Sequence, residues 1–196
     1  MRKMQHLKHT KNDRLTLEVD ESMVSNWHVD ASFAVQLDMP NHTGLSVTLG
    51  KRFPINISRK QSINTGSSTE AELVAADDAM GPILWKNHFL ADQGYDYKQI
   101  LHQDNRSSML LESKCRKIAG KHSCRINIRY FFISDRKERG QLTFRYCPTD
   151  KLFAAYTTKP LHPSKLKEFR KHIMNFSTST IGSKGYQTIK VLFLYE

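Results

Sequence analysis

Between Phe53 and Leu73 the apolar pattern of this chain changes period, and that change limits the class of structure open to it. Upstream, Trp27 to Ala34 alternates and is rich in β-formers; Leu45 to Gly50 and Phe53 to Ile57 follow, joined through Lys51 and Arg52. Successive strand side chains point to opposite faces, so these runs predict an antiparallel meander. Downstream, Ser67 precedes Glu70 by three and Thr69 precedes Glu72 by three, two overlapping capping-box registers at one helix start. Leu73, Ala76, Met80 and Ile83 then repeat at helical spacing. Gly81-Pro82 interrupts them. Proline removes a backbone donor and clashes with the preceding turn, so a kink is predicted there, with helix resuming from Trp85 to Asp92.

The rest of the chain repeats the alternation of element types. Ile100 to Asp104 reads as a short buried strand and Asn105 to Ser113 as a helix. Ile126 to Arg139 predicts a helix with Tyr130, Phe131 and Phe132 on one side and charges on the other. Leu142 to Cys147 is a strand closed by Pro148, and Lys151 to Tyr156 a short helix before Pro160. Pro163 to Phe176 is an amphipathic helix with Leu166, Phe169 and Ile173 inward. At the N-terminus, Met1 to Arg14 is basic and reads as a helix or helix remnant, and Leu15 to Val19 alternates as a half-buried strand does. Three strands, helix, strand, helices, strand, helix is an α/β layout with a mixed sheet. There is no internal repeat.

The 196 residues suffice for one domain with a real core. Lys and Arg total 30 against 19 acidic residues, a formal charge of +11, which favours a polyanionic partner such as nucleic acid. Cys115, Cys124 and Cys147 are an odd count with no Cys-x-x-Cys pair, so neither a disulfide framework nor a zinc site is expected. A reducing intracellular compartment, cytoplasmic or nuclear, fits that usage. No secretory signal or membrane-spanning run is read, so no membrane partner is expected. Oligomeric state stays open.

Three carboxylates stand out against this frame. Asp30 lies inside a strand run, Glu72 in the first turns of a helix, and Asp104 at the end of a short apolar run. Each has an ordinary use: an exposed strand residue, a capping-box member, a cap for the helix starting at Asn105. Brought together, they would repel one another unless cations sat between them. A pair of Mg²⁺ ions meets that need, and phosphoryl-ester cleavage is the chemistry that clustered Mg²⁺ ions serve. Asp77 and Asp78 read as solvated helix surface.

Six ordered segments carry a family resemblance: Trp27 to Phe33, Lys60-Gln61, Ser67 to Leu73, Gln103-Asp104-Asn105, Ile126 to Phe131, and Thr158-Lys159-Pro160-Leu161. From about Leu15 to Phe176 the chain resembles the ribonuclease H domain at the end of copia-type retrotransposon polyproteins. The resemblance implies a ribonuclease H-like α/β fold, a mixed five-stranded sheet flanked by helices. It implies an endonuclease hydrolysing the RNA strand of an RNA–DNA hybrid with two Mg²⁺ ions, Mn²⁺ serving as a substitute. Asp30, Glu72 and Asp104 would be catalytic, three of the four metal-binding carboxylates, with Glu70 serving the helix start.

The fourth carboxylate of that family lies in an Ala-Asp pair shortly before Thr-Lys-Pro-Leu, and here the pair reads Ala154-Ala155. Asp150, five residues earlier on a helix, would point about 140° away from the needed face. The resemblance therefore implies an impaired enzyme; the alternative is an inactive, degenerate retrotransposon-derived domain that only binds nucleic acid. Two further departures are Arg125 in place of a His and Arg106-Ser107-Ser108 after Asp104-Asn105. Lys51, Arg52, Arg59 and Lys60, with Lys117, Lys121, Arg125 and Arg129, form the basic surface expected to track the phosphates of a hybrid or other nucleic acid.

These readings divide the chain into residues 1–20, a remnant of the preceding segment; 21–176, the ribonuclease H-like domain; and 177–196, an unassigned tail with a glycine-containing link and an apolar Val191 to Tyr195. Nothing in it resembles polymerase or integrase parts of a polyprotein, so a truncated reading frame is expected.

Overall fold

In a computed structural model, the change of period becomes a change of layer, from sheet to covering helix. The structure describes residues 21–33, 41–50, 53–106 and 124–174, with the backbone alone for 124–127 and 174. The strands are β1 (Val24–Ser32), β2 (His42–Leu49), β3 (Ile55–Lys60), β4 (Lys98–Gln103) and β5 (Thr143–Tyr146). The helices are α1 (Ser68–Asp92), α2 (Cys124–Glu138), α3 (Ala155–Thr158) and α4 (Pro163–Met174). The sheet order is β3-β2-β1-β4-β5. β1, β2 and β3 pair antiparallel, whereas β4 joins β1, and β5 joins β4, in parallel. This is the expected mixed five-stranded sheet.

β1 is the central strand, and its two faces do different work. Trp27 and Val29 point into the main core with Leu45, Val47 and Leu101, beneath Leu73, Ala76, Ala79, Met80 and Ile83 of α1 and Tyr130 and Ile133 of α2. His28 points to the other side, stacked on His102 and against Phe53 and Phe153. Phe53, Phe169 and Ile173 form a second, smaller core there, with Phe153, Tyr156 and Leu161 packed on it. The strand begins at Val24 rather than Trp27 because Val24, Ser25 and Asn26 pair with Lys98, Gln99 and Ile100 of β4, and polar Ser25 is fully buried. Strict alternation could not mark that start.

Several expectations are corrected. α1 runs unbroken from Ser68 to Asp92 with Pro82 inside it. Proline cannot donate to the Asp78 carbonyl four residues back, and Arg59 Nη2 supplies a donor to that carbonyl at 3.2 Å. Of the two capping registers, the first is used: Ser67 Oγ accepts the Glu70 N–H and Glu70 reaches back to the Gly66 N–H at 2.7 Å. On α2, Tyr130 is buried but Phe131 is 56% exposed, since neighbours on a helix diverge by about 100°. On α4, Phe169 and Ile173 turn inward and Leu166 faces solvent. The short helix falls at Ala155–Thr158, because the N–H groups of Lys151, Leu152 and Ala155 bond three residues back in successive tight turns. The readings for residues 1–19, 107–113 and 177–196 lie outside the described residues.

Asp77 and Asp78 are partly buried and paired rather than free on the helix surface. Arg129 of α2 pairs with Asp77 at 2.5 Å and Asp78 at 3.6 Å, Arg59 of β3 pairs with Asp78 at 3.0 Å, and the Thr43 hydroxyl donates to Asp78 at 2.8 Å. The two arginines tie α1 to the sheet and to α2. At the far end of α1, Lys86 is buried over the Trp27 ring with its ammonium on the Ser25 hydroxyl, and burial pushes it down to about 7. Removing one partner of a part-buried ion pair strands the other. Arg129→Ala is therefore expected to lower stability by roughly 1–3 kcal/mol in urea denaturation, against less than about 0.5 kcal/mol for Phe131→Ser.

Candidate metal centre

Parallel pairing of β1 and β4 sets their carboxyl ends side by side, where open α/β sheets bind ligands. Asp30 comes from that end of β1, Asp104 follows β4, and the first turns of α1 bring Glu72 above them. One carboxylate oxygen from each lies within 4.8 Å of the others. Glu72 is fixed by the Ala31 N–H at 3.2 Å and by the Gln103 amide, which donates to its carbonyl at 3.1 Å and to its carboxylate at 3.4 Å. The Thr149 hydroxyl holds Asp104 at 2.6 Å.

The electrostatics follow from burial. Asp30 is 1% exposed, and its carboxyl is raised above the usual range chiefly by desolvation, opposed by the Thr158 hydroxyl and Lys159. Glu72 is pushed up to about 8, first by burial and then by the charges on Asp30 and Asp104. Carboxylates so crowded are relieved by a cation, and three hard oxygen donors suit a divalent ion such as Mg²⁺ or Mn²⁺. The donor set fits. Gln103 Oε1, buried with no hydrogen-bond partner of its own, lies on the side chain that holds Glu72.

A second set of residues reaches the same carboxylate from the other face. Asp30, Gly44 and Ser58 are paired across β1, β2 and β3 in one row. The α3 turn lies over that row. Ser58 Oγ donates to the Thr157 carbonyl at 2.6 Å, Thr158 Oγ1 donates to Asp30 Oδ2, and Lys159 Nζ sits 3.3 Å from both Asp30 oxygens. A Cβ at Gly44 would overlap Thr157 Oγ1 and come within 2.5 Å of Thr158 Cγ2. Glycine there is a matter of space, not of backbone angle. Lys159 precedes Pro160, which restricts it to the extended conformation it adopts (φ −143, ψ 150) and ends the helix. Ala155 is buried one turn before Thr158, and its carbonyl accepts from the Thr158 hydroxyl at 3.3 Å.

The structure thus brings Asp30, Glu72 and Asp104 together. Of the basic residues, Lys60 is exposed at the end of β3, while Arg59 and Arg129 are engaged with Asp77 and Asp78. Lys51, Arg52, Lys117 and Lys121 lie outside the described residues, and Arg125 is placed on α2 by its backbone alone. Sequence reasoning gave no role to Gly44, Ser58, Gln103, Thr158 or Lys159. Gln103, Thr158 and Lys159 did fall within the segments that carry the family resemblance, while nothing in the sequence singled out Gly44 or Ser58.

No family model matches the sequence. Solved structures share its fold. LC11-RNase H1, isolated from compost by a metagenomic approach, has a TM-score of 0.52 at 16% identity, over 69% of this chain and 92% of that one. The same protein in complex with an RNA/DNA hybrid gives 0.50 at 16% identity, over 68% and 93%. The N-terminal RNase H domain of a Mycobacterium tuberculosis protein, solved as a maltose binding protein fusion, gives 0.51 at 9% identity, over 75% and 99%. At these identities the likeness is one of fold: the chain has an α/β, ribonuclease H-like fold.

Two outcomes follow from this geometry. Because Glu72 in the folded chain keeps a proton that the unfolded chain releases above its ordinary value of 4.5, its contribution is present at low pH and lost as pH rises toward 8. His28 and His102, both lowered by burial, push stability the opposite way below about pH 6.5, so the readout is a difference: in calorimetric melting in EDTA, Glu72→Gln should gain stability relative to wild type as pH rises from 5 to 7. Gly44→Ala should cost roughly 1–3 kcal/mol by denaturant unfolding, since α3 must lift from the sheet.

Proposed function

We propose that this chain is a divalent-metal-dependent ribonuclease acting on the RNA strand of RNA–DNA hybrids, derived from a copia-type retrotransposon and impaired by Ala155. One observation carries the reading: β1, α1 and β4 converge three carboxylates, two of them buried, at the carboxyl end of a ribonuclease H-like sheet. Asp30, Glu72 and Asp104 would hold the metal. Gln103 and the Ala31 N–H aim Glu72, and Thr149 aims Asp104. A divalent ion held by these residues would supply Lewis acidity toward a water nucleophile and the leaving 3′ oxygen. Residues 21–176 are the domain on this reading, and the hybrid, recognised by shape and phosphates, is its partner.

A second reading has its own support. Ala155 offers no ligand, and the Asp30 carboxylate is already engaged by Thr158 and Lys159, as in a retained fold that binds nucleic acid without cutting it. No helix among the described residues is long and apolar enough to cross a membrane. A labelled-hybrid cleavage assay in Mg²⁺ and in Mn²⁺ separates the readings. Slow cleavage abolished by Asp104→Asn and raised roughly 10–100-fold by Ala155→Asp is the expected result. Binding without cleavage in wild type and in Ala155→Asp would establish the second reading. Absence of both cleavage and hybrid binding would dismiss both.

A further inference from the structure

We propose that the Lys159 ammonium takes the place of one of two metal ions, so that this site holds one divalent cation rather than a pair. The inference rests on the reading of Asp30, Glu72 and Asp104 as metal ligands and deepens it. Lys159 Nζ sits 3.3 Å from both oxygens of Asp30, a bridging position that a cation takes on a carboxylate. The acceptor is no surface group: Asp30 is fully buried, and Thr158 donates to the same carboxylate from the same turn. The Lys159 side chain keeps 35% exposure, so the pair adds little net stability of its own; what it does is neutralise a carboxylate that burial would otherwise leave unpaired.

The placement is built in by the chain. Pro160 holds Lys159 extended, Ser58 anchors the Thr157 carbonyl, and Gly44 lets the turn settle against the row that ends on Asp30. Each of these residues serves the approach of one ammonium group to one carboxylate.

Formal charge then sets the stoichiometry. Three ionised ligands and one ammonium leave −2, which one divalent ion neutralises. A second ion would leave the pocket at +2, with Asp30 buried and no carboxylate at Ala155 to offset it. Buried charge of that size is costly unless paired.

The test is a Mn²⁺ titration of the full chain without nucleic acid, followed by calorimetry and by the paramagnetic signal of free Mn²⁺, with circular dichroism to check folding. Wild type should bind one ion. Lys159→Met should bind its first ion roughly tenfold or more tightly, because a like charge has left the pocket. Lys159→Arg should retain the wild-type isotherm, and Ala155→Asp combined with Lys159→Met should take two ions. Lys159→Gln serves if the Met variant does not fold. Two ions in wild type, or superimposed isotherms for wild type and Lys159→Met, overturn the proposal. No ion in any variant dismisses it together with the metal reading. One ion in wild type with the variants as expected, but no hybrid cleavage, leaves it standing and removes only the nuclease.

Discussion

A carboxylate on the central strand of a sheet, shut off from water, must be given a partner by the rest of the molecule, and Asp30 imposes that condition on this fold. Two layers answer it from opposite sides. From the main core, α1 brings Glu72 over the sheet end, where a metal ion would be shared. From the other face, a four-residue helix and the lysine after it supply a hydroxyl and an ammonium. Neither arrangement is local. Both depend on β1 lying between an antiparallel neighbour that carries a glycine and a parallel neighbour that is followed directly by an aspartate.

Much of this was legible in the residues because it depends on periodicity. The strands β2 and β3, the capped start of α1 and the amphipathic α4 each announce themselves by spacing and by polar residues at their ends. The three acidic residues could be grouped only through the family resemblance, since nothing in local spacing connects positions 30, 72 and 104. What escaped was set by contacts across the fold. The kink expected at Pro82 is absent because a guanidinium from β3 serves the carbonyl that proline leaves without a donor. The start of β1 was hidden because Ser25, a polar residue, lies on the face of Trp27 and Val29 where alternation calls for an apolar one.

The basic charge is also distributed less freely than composition suggests. Arg59 and Arg129 belong to a four-residue cluster with Asp77 and Asp78 in which the formal charges cancel. They act as internal ties between α1, α2 and the sheet. Any anionic surface is met by the remaining lysines and arginines, of which Lys60 is already exposed beside that cluster. A large positive charge on a chain is thus a property of the sum, whereas recognition depends on which members of the sum are left over.

The α3 turn has a bearing on the order in which the chain comes into being. The hydrogen bond between Thr158 and Asp30 spans 128 positions, and closing a loop of that length costs on the order of 4 kcal/mol of chain entropy before the contact repays anything. Pairing of β1 with β2 and β3 is far more local and needs no residue beyond Lys60. During synthesis from the N-terminus, Asp30 is therefore placed in a sheet long before its hydroxyl and ammonium partners leave the ribosome. Asp30, Glu72 and Asp104 all precede in the chain the turn whose hydroxyl and ammonium cover Asp30, and of the described elements only α4 follows that turn.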